Sequence, residues 1–251
     1  IETDSEKILC ETGIGAFFEP KMADRFGVQD ASEHMLLKSL SELGLSEEDI
    51  DYVVLSHLHF DHAGGLLPTF KEIQNGNDHL NFPKAKYVVG KEAWNRATQP
   101  HFRDKASFIP GLDKKLSESG RLCIVGQSDV HLPPGLQFYY SHGHTPGQMH
   151  VLFKGSQQTV CYAGDLIPGR AWVHLPITMG YDRFPERLIE EKQELYRLAV
   201  KEQWLIFYTH DWEMAASRIL HPELHRLFSQ ALGSPFWAGI PNRGTIALGD
   251  T

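Results

Sequence analysis

A mixed α/β fold is what this sequence predicts, and three observations carry the prediction. Short apolar runs rich in β-branched residues recur along the chain, the clearest being Tyr52 to Leu55, and read as buried strands. Stretches with apolar residues at helical spacing stand between them, as at Met35, Leu36, Leu40 and Leu43. Several strands then stop at metal-binding residue types: at His57, His59, Asp61 and His62, at His144, at Asp165 and at His210. Four strand ends converging on one edge would assemble seven such side chains.

The segment His57-Leu58-His59-Phe60-Asp61-His62-Ala63-Gly64-Gly65 organises the rest. Imidazole and carboxylate are what Zn²⁺ and similar ions bind, at about 2.0–2.2 Å. Three imidazoles and a carboxylate crowded after one strand would cost folding energy if their polar atoms stayed unpaired. The glycines behind them let the backbone turn tightly where a side chain would clash. The pattern is that of a metal site.

Taken in order, Lys7 to Thr12 reads as a strand broken by Gly13 and Gly15, and Ala16 to Met22 as an irregular loop with exposed aromatics. Ser32 is the expected cap of the helix through Met35 to Leu43, with Gly44 as its stop. A polar stretch without clear pattern follows the Gly pair. Then come a strand at Ala85 to Val89, a short helix at Lys91 to Ala97, and an aperiodic segment from Thr98 to Gly120 that reads as an insertion or lid. Strands are expected at Arg121 to Val125, Leu136 to Ser141, Met149 to Phe153 and Thr159 to Ala163. The turn-forming cluster Ser141 to Gln148 separates two of them. A loop from Leu166 to Pro185, a helix from Glu186 to Lys201, a strand from Trp204 to Tyr208 and a last helix from Pro222 to Leu232 complete the pattern.

Composition sets limits. The 251 residues, 41% hydrophobic and 22% charged, suit one globular domain over 1–251. No apolar run approaches the roughly 20 residues of a membrane span, and a net charge of −8 argues against a nucleic-acid partner. Cys10, Cys123 and Cys161 follow no C-x-x-C spacing and read as buried reduced thiols with no disulfide framework, and the compartment is left open with a cytoplasmic setting slightly favoured. The chain begins at Ile1 rather than Met, so a processed or unobserved N-terminus is expected.

The series His57-x-His59-x-Asp61-His62, then Gly143-His144-Thr145-Pro146-Gly147, then Gly164-Asp165, then Thr209-His210, resembles the metallo-β-lactamase superfamily in its two-metal form. The resemblance runs from Leu9 to His210. It implies a four-layer αββα sandwich of two mixed sheets with the metals at one edge, and a chain lacking the first N-terminal strands. Leu166-Ile167-Pro168 and Gly180 to Pro185 look closest to the lactonase and methyl-parathion-hydrolase-like branch. Carried over residue by residue, His57, His59 and His144 hold one metal, Asp61, His62 and His210 the other, and Asp165 bridges them. Two divalent ions are implied, zinc first, with manganese, iron or cobalt acceptable to the same donors. A metal-bridging hydroxide is then the nucleophile, and Asp61 the catalytic carboxylate that orients it and protonates the leaving group.

Phe17, Phe18, Trp172, His174 and Tyr181 are the candidate substrate contacts, and segments 98–120 and 166–185 the candidate active-site loops. Aromatics and methionine in irregular loops suit a small apolar lactone or ester. One departure stands out: lactonases of the best-known type place a tyrosine shortly after the bridging aspartate, where this chain has Leu166, Ile167, Pro168 and Gly169. Organophosphate or aryl ester hydrolysis is the alternative within the fold, and a mononuclear-iron persulfide dioxygenase the alternative of another class. His142 and His150 read as supporting or surface residues, and Ser56, Thr209 and Asp211 as neighbours of ligands. The Trp204 to Phe207 strand and the loops offer surfaces for a homodimer, the one protein partner expected beside a small-molecule substrate.

Overall fold

The computed structural model describes residues 1–127 and 132–220, together with the backbone of 230–231. The chain divides into two compact units, Ile1–Val130 and His131–Thr251. The first is built on a four-stranded parallel sheet in the order β1-β2-β3-β4, with β1 Ile8–Cys10, β2 Tyr52–Leu55, β3 Lys86–Gly90 and β4 Leu122–Val125. Parallel neighbours need long crossovers, usually through helices. Helices α1 Pro20–Phe26 and α2 Met35–Glu42 link β1 to β2, α3 Phe60–Ala63 and α4 Phe70–Gln74 link β2 to β3, and α5 Lys91–Thr98 and α6 Leu112–Glu118 link β3 to β4. All four β2 residues are buried, which explains an unbroken apolar run where a half-exposed strand would alternate. Val53, Leu55, Leu66, Phe82, Tyr87 and Leu116 form the centre of this unit's core.

The second unit is a mixed six-stranded sheet in the order β10-β9-β8-β7-β6-β5. Its strands are β5 Leu136–Ser141, β6 Gln148–Lys154, β7 Thr159–Tyr162, β8 Leu205–Phe207, β9 Ala216–Arg218 and β10 Gln230–Ala231. Among the described residues only β7 and β8 of this sheet pair in parallel, and the 17-residue helix α7 Pro185–Lys201 lies in the crossover between them. Leu188, Lys192, Leu195, Tyr196 and Ala199 are its buried residues, recurring at the three- and four-residue spacing of one face.

Several expectations need correction. His34, not Ser32, caps α2, its Nδ1 accepting from the Leu37 amide at 3.3 Å. The expected loop from Ala16 to Met22 ends in α1, which starts at Pro20, a residue suited to a first helical turn. Segment 98–120 is not structureless: Leu112 and Leu116, one turn apart, bury the inner face of α6. β9 was not expected from the sequence. The helix expected over 222–232 lies outside the described residues, apart from Gln230–Ala231, which pairs with β9 as a strand. All three cysteines are free, but only Cys161 is fully buried; Cys10 and Cys123 are half-buried. Among the described residues no helix is long and apolar enough to cross a membrane.

Candidate metal centre

In the first unit, β2 delivers its end directly to Ser56 and His57, and a turn through His59 leads into α3 with Asp61 and His62. His57, His59 and His62 are buried, while the Asp61 side chain is 32% exposed. His57 Nε2 stands 3.0 Å from His59 Nδ1, and His62 Nε2 stands 3.7 Å from Asp61 Oδ2. The glycines bear out the expected clash with a side chain, though not through an unusual turn geometry. Gly64 has an ordinary helical φ of −65°. What excludes a side chain is proximity: a Cβ at Gly64 would lie 2.1 Å from the Ile14 carbonyl oxygen, and one at Gly65 2.1 Å from that of Thr12. The segment after β1 is packed backbone-to-backbone against the metal loop.

That packing brings in a residue the sequence did not flag. Glu11 is buried, accepts from the Ser56 amide through Oε1, and holds His62 Nδ1 at 2.5 Å through Oε2. Ser56 Oγ is 2.8 Å from His57 Nδ1. Tying one ring nitrogen to an oxygen fixes tautomer and ring orientation, and directs the other nitrogen to an ion. Asn81 supports the following turn, donating to the Gly65 and Leu67 carbonyls at 3.1 and 2.9 Å.

In the second unit, the turn after β5 carries His144, the end of β7 leads to Asp165, and the end of β8 leads to His210. The buried Asp165 carboxylate has one imidazole at each oxygen: His144 Nε2 at 3.3 Å from Oδ2 and His210 Nε2 at 3.2 Å from Oδ1. His144 Nδ1 is held by Asp182 Oδ1 at 2.9 Å, the same device as Glu11 on His62. The Gln148 amide oxygen accepts from the Asp165 and Leu166 amides at 2.7 and 3.2 Å, tying Asp165 to the start of β6. Glu191 of α7 accepts from the His142 and Gly143 amides, both at 2.8 Å. Gly143 is required here, since a Cβ would lie 2.4 Å from Leu188 Cα. His210 is steadied by its backbone N–H, which donates to the Pro168 carbonyl at 2.8 Å, and Asp211 accepts from the Arg170 amide at 2.8 Å.

These residues fit a divalent ion. Two donors bound at 2.0–2.1 Å in a tetrahedral site lie about 3.3 Å apart, close to the His57–His59, His144–Asp165 and His210–Asp165 separations. The donors are nitrogen and oxygen, with ring nitrogens already oriented by Ser56, Glu11 and Asp182.

The remaining candidates divide. Phe17 and Phe18 join Phe26 and Phe60 in one aromatic cluster, with successive centroid distances of 4.1 Å for Phe17–Phe18, 5.5 Å for Phe18–Phe60 and 4.7 Å for Phe26–Phe60. Phe60 lies between two ligand candidates in sequence, so this cluster is continuous with the metal loop. Phe108, from segment 98–120, stands edge-on to His59 at 4.9 Å. Tyr181 is 64% exposed, with its ring 6.0 Å from that of His144 and its hydroxyl on Met179 Sδ. Trp172 packs on the core of the second unit, and His174 is exposed in the same loop. His142 Nδ1 closes its own turn by accepting from the Gly147 amide, and His150 is a core residue 2.7 Å from Ser141 Oγ, with burial pushing its pKa down to about 4. Glu11, Gln148, Asp182 and Glu191 were missed because each is an isolated residue whose partner lies far along the chain.

The model of the metallo-β-lactamase superfamily matches residues 1–210. An N-acyl homoserine lactonase from Bacillus thuringiensis is 26% identical over 237 residues, which cover 89% of this chain and 84% of that protein. A probable metal-dependent hydrolase from Staphylococcus aureus has a similar structure, with a TM-score of 0.75 and 27% identity over 86% of this chain and 74% of that one. AidC, a dizinc quorum-quenching lactonase solved with the product N-hexanoyl-L-homoserine, shares the fold with a TM-score of 0.69 and 23% identity, over 87% of this chain and 73% of its own.

Proposed function

This chain belongs to the metallo-β-lactamase superfamily and is a metal-dependent hydrolase, and from that premise we propose that it uses two metal ions to open a small lactone or ester carrying an apolar chain. In this reading His57, His59 and His144 hold one ion, Asp61, His62 and His210 hold the other, and Asp165 serves both. The observation that carries it is the Asp165 carboxylate, buried and with a different imidazole at each oxygen. A carboxylate so arranged suits two ions, whose mutual repulsion it offsets.

When bound, two divalent ions lower the pKa of water to near neutrality and polarise the oxygen of the electrophile. The protein's own residues supply the rest. Glu11 and Asp182 keep His62 and His144 in the tautomers that present Nε2. Asp61, the one partly exposed acid of the metal loop, is suited to pass a proton to the departing alkoxide. The Phe17, Phe18, Phe26 and Phe60 cluster offers a wall for a hydrocarbon chain. Similarity to the Bacillus lactonase supports a lactone as the substrate class. The absence of tyrosine from Leu166 to Gly169 favours aryl or organophosphate esters as the second reading.

The test is acid release from a long-chain acyl lactone by metal-loaded protein, with a chelator-treated control. Chelator-sensitive opening is the expected result. Failure on lactones with turnover of aryl esters transfers the assignment to the second reading, and oxygen uptake with one iron per chain overturns both. His57→Ala and His144→Ala are expected to cost the same single metal; loss of different metals refutes the shared ligand set.

A further inference from the structure

Helix α7 buries a lysine. Lys192 has no exposed surface, yet it carries an ammonium group whose three protons go to three backbone carbonyls, those of His174, Leu175 and Ile177 at 3.0, 3.1 and 3.0 Å. One turn on, the Tyr196 hydroxyl donates to the Val173 carbonyl at 2.7 Å. Two adjacent side chains on the core face of one helix therefore take four carbonyls from the stretch Val173 to Ile177. Burying a charge without a carboxylate in contact is expensive, and the cost shows in the Lys192 pKa, which burial pushes down to about 8 while the negative charge of Asp182 opposes the fall. An apolar residue at this position would avoid that cost but remove the donor that the three carbonyls share, although the His174 carbonyl also accepts from the Ile177 amide at 3.1 Å.

The loop so fixed ends at Asp182, and Asp182 faces two ways. Oδ2 accepts from the Met179 amide at 2.6 Å and closes the loop on itself. Oδ1 holds His144 Nδ1 at 2.9 Å. The chain then returns along the His144 turn, with the Arg183 amide on the His144 carbonyl and the Phe184 amide on that of Gly143. A loop anchored at one end by an ammonium group and at the other by a carboxylate thus sets the orientation of one imidazole.

We propose that Lys192 is a positioning residue that acts through Asp182 on His144, so that seating of the loop from His174 to Asp182 and metal binding at His144 are energetically coupled. This rests on the proposed role of His144 as a metal ligand. Removing the ammonium loosens the loop, frees Asp182 to move, and lets the His144 ring rotate or take the other tautomer, with a proton on the nitrogen that would meet the ion. Coupling of this kind is reciprocal, so an ion at His144 also tightens the loop.

The experiment uses metal-stripped protein titrated with Zn²⁺ against a chromophoric chelator, on the unsubstituted chain, Lys192→Met, Asp182→Asn and His144→Ala. Hydrogen exchange of the Met179 amide is followed with and without Zn²⁺. Substitutions behind a ligand cost about 10–100-fold in affinity. Lys192→Met is expected to weaken one of two zinc equivalents by that factor and spare the other. Zn²⁺ is expected to slow Met179 exchange in the unsubstituted chain, and to slow it much less in Lys192→Met. Asp182→Asn keeps the side-chain volume and Lys192, so it is expected to reproduce the affinity loss even where Lys192→Met folds poorly. Unchanged zinc affinity in both variants, with one equivalent lost in His144→Ala, overturns the coupling alone. Full zinc binding in His144→Ala overturns the ligand assignment and the coupling with it.

Discussion

Replacing Glu11 by glutamine tests how the metal loop is held. The amide is nearly isosteric, and its oxygen can still accept from the Ser56 amide, as Glu11 Oε1 does. Its nitrogen, however, replaces the oxygen that faces His62 Nδ1 at 2.5 Å. Two N–H groups cannot point at each other, so His62 must carry its proton on Nε2, where the ion would bind. The site is buried on both sides, with side-chain exposures of 1% for His62 and 6% for Glu11, so water does not repair the loss. A hydrogen bond to a charged group contributes about 1.5–3 kcal/mol. The metal-free protein should therefore lose about 2 kcal/mol, or roughly 4–8 °C in melting temperature for a chain of this size. Zinc affinity should fall by about 10–100-fold. Thermal melts in chelator and competition titrations with zinc measure the two effects separately. Undiminished zinc affinity in a folded Glu11→Gln variant would refute the argument that Glu11 sets the His62 tautomer.

Three further perturbations follow from the same contacts. Gly64→Ala places a Cβ 2.1 Å from the Ile14 carbonyl oxygen, and is expected to cost at least about 1–3 kcal/mol by overpacking and to reduce zinc binding, read from melts and metal content; a normal melt would show that the two backbones separate freely. Gln148→Leu removes the acceptor for the Asp165 amide, while the Leu166 amide keeps the Ala163 carbonyl at 3.3 Å, so stability should drop by about 1–3 kcal/mol for the one buried amide that loses its acceptor, measured by urea unfolding. His150 is held down to about 4 against an ordinary 6.5. Between those values the unfolded chain binds a proton that the folded chain refuses, so this contribution is present above pH 6.5 and about 3 kcal/mol is lost as pH falls to 4. In His150→Gln that loss should vanish, and urea midpoints of metal-free protein should fall less steeply with acid; parallel curves for the two proteins would contradict it.

How much could be read from the chain depended on how local each signal was. His57, His59, Asp61 and His62 are legible because four donors fall in six residues directly after β2, which the sequence also delimits at Tyr52–Leu55. Glu11 and Asp182 are not, since their meaning lies in contacts 51 and 38 residues away. A single acid at the end of a strand or within a loop looks like any solvated carboxylate. Gly64 and Gly65 were recognised as positions where a side chain would clash, and the clash comes from the close approach of the segment after β1 rather than from a positive-φ turn. Short elements were the other failure. α6 contributes only Leu112 and Leu116 to the core, and β9 only three residues, too few for a period to declare itself. Lys192 shows the limit of hydrophobic patterning, because a lysine on the inner face of α7 reads as an interruption when it is an anchor.

The central claim is that hydrolysis requires two ions held by one set of seven side chains. Its most direct test is stepwise addition of zinc to chelator-stripped protein, with acid release from a long-chain acyl lactone followed after each addition. The account predicts that activity climbs until two equivalents per chain are bound, and that Asp165→Asn abolishes the climb. Activity complete at one equivalent, or unchanged in chelator, would contradict it.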